Sequence, residues 1–446
     1  MSLELVATSP SIPEPELKTP QKTAFEDAKM VLQTLLGQGF QAMFAGGCVR
    51  DRLLGRIPND YDIASAATPD QAKAVFESAG FRVIPTGIEH GTITVVSPSG
   101  PVEITTLRKD VKTDGRHAIV AFDNATFEDD AQRRDFTINA MFEDLHGEIH
   151  DFHGGQQDLQ NHHLRFVGDP VKRIREDYLR ILRFFRFWSR LDFTPDNLAL
   201  EAIGNECDGL RHISQERITS ELWGIFSTQY SADPLKKMEE LAVTKLILPE
   251  AITLSHKVQL ILRDASNTPE NIRPWIVGSI VTGILEDTAP KSDDVVKLAR
   301  RLRMSEKQAQ IWGNIYHGWQ QCLSIPRERA SALLFAERLE ANEHHHNLIN
   351  FYGPIWQFFS RHEVTGKKGE QFGWIISTDQ TFQEQRRMQL PLNGHDITEF
   401  RPDLDGKKIG EALTIARRAF LNGQWNSRHD GLQFIKGLDL KNSNRS

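Results

Sequence analysis

The chain has 446 residues, a quarter of them charged, with a formal net charge of −7. Its length exceeds one ordinary core and points to two to four domains. No apolar run approaches the roughly 20 residues of a membrane span, which excludes a helical membrane protein. Cys48, Cys207 and Cys322 are widely scattered; that excludes a disulfide framework or a cysteine-ligated metal and fits a reducing, cytoplasmic setting. The acidic total leaves nucleic acid open as a partner, because binding needs only a local basic surface.

Residues 1–24 are rich in Pro, Ser and Thr and lack the pattern of a signal peptide or an Arg-rich leader, so they read as a flexible leader. Residues 25–165 read as a mixed head. An amphipathic helix is expected over Phe25 to Gln38, and Phe44-Ala45 ends a strand that turns at Gly46-Gly47 into a helix. Pro69 to Ala79 reads as a helix capped by Thr68. Short β-rich runs follow at 81–85, 91–96 and 102–107, the last two forming a hairpin through Ser97-Pro98-Ser99-Gly100. Beyond Gly168-Asp169-Pro170 helical periodicity dominates, broken near Pro195, Pro234, Pro249, Pro290 and Pro326. The expected class is α+β: a head with a small mixed sheet, a helical neck at 166–250, and a helical body and tail at 251–446.

Three features of the head carry chemistry. A helix start reached through Gly46-Gly47 presents backbone N–H groups suited to a phosphate. Asp60 and Asp62, two residues apart, project to one face if the segment is a strand, and their mutual repulsion calls for a hard cation such as Mg²⁺. Alone they would read equally well as part of an Asn/Asp-rich turn beside Pro58-Asn59. Glu103, an acid in the apolar strand run Val102-Glu103-Ile104, is the candidate third carboxylate. Such a set supports phosphoryl transfer. Arg133 and Arg134 suit a triphosphate. Asp135 can accept from a ribose hydroxyl or cap a helix beginning at Phe136, and Asn139 falls one turn later.

Residues 171–188, VKRIREDYLRILRFFRFW, read as one helix that buries Ile174, Tyr178, Ile181, Phe185 and Trp188. On it Asp177 and Arg180 are neighbours, either as an ordinary surface pair or as a base reader. A carboxylate acceptor beside a guanidinium donor matches the N4/N3 edge of cytosine and the N6/N1 edge of adenine. Uracil and guanine present the reverse pattern and would leave polar groups mispaired.

GGCVRD, the DYD after it, EITTLR, QRRDFTINAM and REDYLRILRFFRF occur in that order. Together they resemble the class II tRNA nucleotidyltransferase and bacterial poly(A) polymerase family of polymerase-β-like enzymes. The resemblance is strong over about Phe25 to Leu222 and weak in the C-terminal third. It implies Mg²⁺ at Asp60 and Asp62, catalysis by these two with Glu103, ribonucleotide selection by the RRD segment, and base recognition by Asp177 and Arg180. Gly46, Gly47, Arg50, Arg133, Arg134, Asp135, Asn139 and Arg183 join that pair as expected nucleotide contacts. Arg108, Asp114 and Arg116 fall in a link that corresponds to a flexible loop aiding the change from CTP to ATP. The implied reaction adds CCA to tRNA 3′ ends from CTP and ATP. Rivals are a CC-adding or A-adding relative, a poly(A) polymerase, and an inactive tRNA-binding protein.

On the helical side, Lys297 to Arg303, Lys407-Lys408 and Arg417-Arg418 are candidate phosphate contacts, with stacking from Trp425 and charge from Arg428. The histidines of Glu343 to His346, His395-Asp396 and His429-Asp430 read as surface or capping residues, and no hydrolase activity is assigned to them.

Overall fold

The computed structural model describes residues 19–88, 91–113, 118–121, 124–286, 289–321, 325, 348–362 and 390–438. It divides into two compact units, one of residues up to 225 with 229–249, the other of 226–228 with 250 onward. No described helix is long and apolar enough to cross a membrane.

The first unit opens with α1 (Thr19–Gly37), β1 (Ala42–Ala45), α2 (Gly47–Leu53), β2 (Tyr61–Ser65) and α3 (Pro69–Ser78). Helix α1 begins earlier than expected, inside the stretch read as a leader, and Pro20 in its first turn is a position where the missing N–H costs nothing. Thr68 and Gln71 close a capping box on α3. Strands β3 (Arg82–Gly87), β4 (Thr92–Ser97) and β5 (Gly100–Thr106) come next. A separate two-stranded ribbon pairs β6 (Lys109–Thr113) with β7 (Ala118–Ala121) where only a loop was expected. After α4 (Phe127–Arg133), the strands β8 (Met141–Glu143) and β9 (Ile149–Asp151) complete a seven-stranded sheet of order β3-β4-β5-β2-β1-β8-β9.

The sheet is mixed because β2 and β5 run parallel while their neighbours are antiparallel. Register sorts side chains by face. Phe44, Tyr61, Ile63, Ile93, Val102 and Ile104 share one face and are buried. Phe25 of α1 packs there, its ring centroid 5.8 Å from Phe44 and 5.6 Å from Tyr61; each such ring stabilises by about 1.5–3 kcal/mol. The opposite face carries Asp62 aligned with Glu103 and Ala64 aligned with Thr105. Its apolar part closes with Ala45, Leu107, Phe127, Ala131, Phe142 and Val167.

The unit continues with α5 (Gly155–Gln160), β10 (His163–Leu164), α6 (Pro170–Glu176), α7 (Leu179–Leu191), β11 (Thr194–Pro195), α8 (Asn197–Glu206), α9 (Gln215–Ser227), α10 (Ala232–Glu240) and α11 (Val243–Ile247). Pro195 sits in a two-residue strand parallel to β10, and Pro234 starts α10 rather than breaking a helix. The single helix expected over 171–188 is two. Asp177 is extended (φ −155°, ψ 105°), and its Oδ1 accepts from the Leu179 N–H at 3.1 Å. A short acidic side chain that bonds nearby backbone competes with helix continuation in this way.

The second unit holds α12 (His256–Ala265), α13 (Arg273–Val281), α14 (Ser292–Arg301), α15 (Glu306–Gln321), α16 (Leu348–His362), α17 (Gly394–Phe400), α18 (Gly406–Leu421) and α19 (Arg428–Lys436). Buried Trp312 and Tyr316 tie α15 to α13, donating to Ser279 Oγ and Ser279 O, each at 3.0 Å. Trp425 does not offer a stacking surface. It is buried in the core of α17–α19, 5.0 Å from the Phe420 ring, because its flat apolar bulk gains more there than on the surface. Arg428 is paired with Asp396 at 2.5 Å. Asp396 and Asp430 occupy helix starts, capping with Asn393 and Ser427. Lys297, Arg300 and Arg301 pair with Asp294, Glu306 and Glu250. Lys407, Arg417 and Arg418 are exposed. Glu343 to His346 and Cys322 lie outside the described residues.

Candidate active site

The alignment of Asp62 with Glu103 follows from the parallel pairing of β2 and β5, and Asp60 stands in the bend just before β2. The Asp62 carboxyl is pushed up to about 6, first by burial, then by the charges of Asp60 and Glu103, with Arg134 acting against them. A buried carboxylate beside two further acids calls for more positive charge than Arg134 provides, and a divalent cation supplies it. Their oxygens do not close into a group as tight as Asp144, Glu148 and His150, whose ligand atoms all lie within 4.8 Å of one another. That second group forms the β8–β9 turn, where Asp144 Oδ1 accepts from the His146 and Glu148 N–H groups at 2.8 Å each.

Gly46 joins β1 to α2 with φ 73°. Any Cβ there would meet Arg134 Nη1 at 2.7 Å, so the glycine serves both the left-handed turn and the close approach of a guanidinium. Gly47 opens α2. Arg134 and Arg133 are held by one buried acid: Asp130 Oδ2 accepts from Arg134 Nε at 3.0 Å, and Oδ1 from Arg133 Nε at 2.7 Å. Asp135 precedes a 3₁₀ turn at Thr137–Asn139 rather than the helix expected from Phe136. Its Oδ1 accepts from Phe136 N and Asn139 Nδ2. Asn139 Oδ1 in turn accepts from Arg50 Nη1 at 2.6 Å, and Arg50 Nε donates to Asp51 at 2.8 Å.

The helix break separates the side chains of Asp177 and Arg180, which take other partners, although the Arg180 N–H donates to the Asp177 carbonyl at 3.0 Å. Arg217 of α9 donates to Asp177 Oδ2 at 2.7 Å. Arg180 donates to Glu176 at 2.8 Å and to the Arg173 and Arg133 carbonyls at 3.0 Å. With Asp177 extended its carboxylate leaves the helix face and meets the distant Arg217, while Arg180 pairs with Glu176 four residues back. Both residues still line one cleft of about 650 Å³ with Gly46, Gly47, Arg50, Asp60, Asp62, Arg133, Arg134, Asp135, Asn139 and Arg183.

The cleft also takes in Asp51, Arg186, Phe187, Arg190 and Arg217, which the sequence reading passed over. Arg180, Arg183, Arg186 and Arg190 recur at near-helical spacing and were legible as one arginine stripe on α7; Arg217, from another helix, was not. Eight arginines against five aspartates make the wall an anion site. Glu103 and Arg108 line a smaller pocket of about 280 Å³ that shares Asp62, Arg133 and Arg134 with the cleft. Asp114 and Arg116 lie outside the described residues.

Two family models match: "Poly A polymerase head domain" over residues 42–165 and "Probable RNA and SrmB- binding site of polymerase A" over residues 192–254. The "CCA tRNA nucleotidyltransferase 1, mitochondrial" of Danio rerio is 38% identical over 427 residues, covering 94% of this chain and 92% of the relative. The chain belongs to the tRNA nucleotidyltransferase family. The "CCA-adding enzyme" of Staphylococcus saprophyticus is another member, 37% identical over 421 residues, with 90% of this chain and 95% of that protein covered. Among solved structures, the Bacillus stearothermophilus CCA-adding enzyme in complex with CTP is similar at TM-score 0.67 and 26% identity, covering 94% of this chain and 98% of that one. This tRNA nucleotidyltransferase therefore has an α+β head of the family type followed by helices, and its acidic cluster sits where the fold has placed an arginine-lined cleft.

Proposed function

We propose that this chain adds CCA to tRNA 3′ ends by template-independent nucleotidyl transfer from CTP and ATP with Mg²⁺, releasing pyrophosphate. One observation carries it: Asp60 and Asp62, the arginine wall and the two base-edge groups line a single cleft. A divalent ion bound by Asp60 and Asp62 would neutralise phosphate charge and activate the attacking hydroxyl. Arg133 and Arg134, oriented by Asp130, hold the triphosphate. Asp135 and Asn139 face the ribose, where a 2′-hydroxyl would take the place of the Asn139 amide on Asp135 Oδ1, the Asp135 oxygens being already filled by Phe136 N, Asn139 and Arg183. Glu103, aligned beside Asp62, accepts the proton of the acceptor 3′-hydroxyl. The 3′-oxygen bonds to the α-phosphorus as the bond to the bridging oxygen of the β-phosphate breaks.

Base choice follows from the bonds already spent. Glu176 and the Arg173 carbonyl occupy Arg180 Nη1, and the Arg133 carbonyl takes one Nη2 hydrogen. Nε–H and the other Nη2–H remain as donors to cytosine N3 or adenine N1. Asp177, with Arg217 on one oxygen, accepts from the exocyclic amino group. We infer a cytoplasmic site of action from the scattered cysteines, which imaging of a tagged copy would check.

The test uses tRNA transcripts ending at the discriminator base, after CC and after CCA, each with Mg²⁺ and CTP, ATP or both. Gain of CCA, A and nothing, respectively, is expected. CC alone on the first, or A only on the second, identifies a partial enzyme. A long A tail identifies a poly(A) polymerase, and no incorporation at all an inactive binder.

A further inference from the structure

The face of the sheet that carries the carboxylates does not end at them. Asp62 aligns with Glu103, Ala64 with Thr105, and Thr105 with Thr92 on the next strand, so all five side chains project to the same side. The Thr92 and Thr105 hydroxyls lie 3.1 Å apart in a shared hydrogen bond. They line the 280 Å³ pocket that Arg108 closes and that meets the large cleft at Asp62, Arg133 and Arg134. The two cavities thus flank the carboxylates and differ in chemistry. The large one has the arginine wall and the base-edge pair. The small one has hydroxyls, small aliphatic groups, two acids and arginines, with no aromatic or amide side chain.

Displacement at phosphorus places nucleophile and leaving group in line on opposite sides. The leaving pyrophosphate belongs to the arginine wall, so the nucleophile must arrive from the other side of Asp62. The acceptor end also changes at each addition, from the discriminator base to C and then C, so its terminal base cannot be read by a fixed donor–acceptor pair. A pocket with no aromatic or amide side chain, too small for a whole nucleoside triphosphate, meets that requirement by holding sugar and phosphate, its acids and arginines facing cation and phosphate rather than a base. We propose that this pocket binds the 3′-terminal ribonucleotide of the acceptor RNA, with the Thr92–Thr105 hydroxyl pair on the ribose 2′-hydroxyl and Arg108 on the terminal phosphodiester. A hydroxyl pair both donates and accepts, as a 2′-hydroxyl does, and a guanidinium suits the phosphodiester. The assignment rests on the nucleotidyl-transfer function proposed above.

The experiment is steady-state A addition to tRNA transcripts ending in CC, with either a ribo or a 2′-deoxy terminal nucleotide, titrating acceptor and ATP separately. For Thr92→Val/Thr105→Val, the wild-type preference for the ribo acceptor is expected to shrink about tenfold, with KM for ATP unchanged. For Arg108→Ala, KM for the acceptor is expected to rise about ten- to a hundredfold, with partial recovery in Arg108→Lys. Thermal unfolding of each variant guards against a folding defect, and the single Thr92→Val and Thr105→Val variants repeat the acceptor comparison if the double one is unstable. A wild type that adds nothing overturns the enzymatic function and this inference with it. A working wild type whose variants keep acceptor KM and ribo preference, or shift KM for ATP instead, overturns this inference alone.

Discussion

Arg183 of α7 donates through Nε and Nη2 to a single oxygen of Asp135, at 2.9 and 2.5 Å, and so ties the helix that follows the Asp177 break to the turn after Arg134. The same carboxylate accepts from Asn139, which bonds Arg50, which bonds Asp51, which reaches Arg190 further along α7. One chain of charged and amide groups therefore runs along the floor of the cleft from α7 to α2 and back. It fixes guanidiniums that would otherwise repel one another, and leaves their remaining donors facing the cavity.

Acid should undo the first link. Asp135 is held down to about 2, against its burial, by Arg183 and by its hydrogen bonds to Arg183 and Asn139. A depressed carboxyl contributes stability above its unfolded pKa, near 4, that is lost as pH falls through its folded value. With a third of the Arg183 side chain exposed, the contribution is on the order of 1–2 kcal/mol. Urea unfolding should show Asp135→Asn less stable than wild type at pH 7, with the gap closing toward pH 2. A gap independent of pH would remove the ion pair from the account.

Asp62 behaves oppositely. Asp62 is raised to about 6, so in the metal-free protein its neutral form confers stability below the unfolded pKa, and this is lost as pH rises through 6. A cation offsets that loss above pH 6 and competes with protons below it. Mg²⁺ should therefore raise the melting temperature more at pH 8 than at pH 5, and Asp62→Asn should abolish the difference. Asp60→Ala and Asp62→Ala should each lower transfer by a thousandfold or more with tRNA binding kept, as measured by incorporation and filter binding.

Nucleotide choice should follow the base-edge pair. Asp177→Ala and Arg180→Ala are expected to weaken discrimination against UTP and GTP by about tenfold or more, read as the ratio of kcat/KM values on an acceptor ending at the discriminator base. Arg180→Lys should not restore it, because an ammonium cannot bond Glu176, two carbonyls and a base edge together.

Gly46→Ala tests the turn. The left-handed φ costs roughly 1 kcal/mol for a residue with a Cβ, and the Cβ would drive Arg134 out of its place. KM for both nucleotides should rise together by about tenfold, with the CTP-to-ATP ratio unchanged in single-turnover assays.

By itself the sequence determined what depends on neighbours along the chain. The Gly46-Gly47 turn, the Thr68 cap, the hairpin through Gly100 and the out-of-pattern Glu103 are local signals with local causes: backbone sterics, orphan N–H groups and strand alternation. Those same rules made 171–188 one helix, since nothing within it but a single aspartate opposes helix formation. Tertiary structure decided against that, because the Asp177 carboxylate is held by Arg217, forty residues away. Arg183–Asp135 and Arg190–Asp51 span 48 and 139 residues, and the burial of Trp425 depends on packing among α17, α18 and α19. A charged side chain takes whichever partner the fold brings within reach, and burial depends on what covers a residue. Neither is set by the residue or its neighbours in sequence, so both became visible only once the chain was folded.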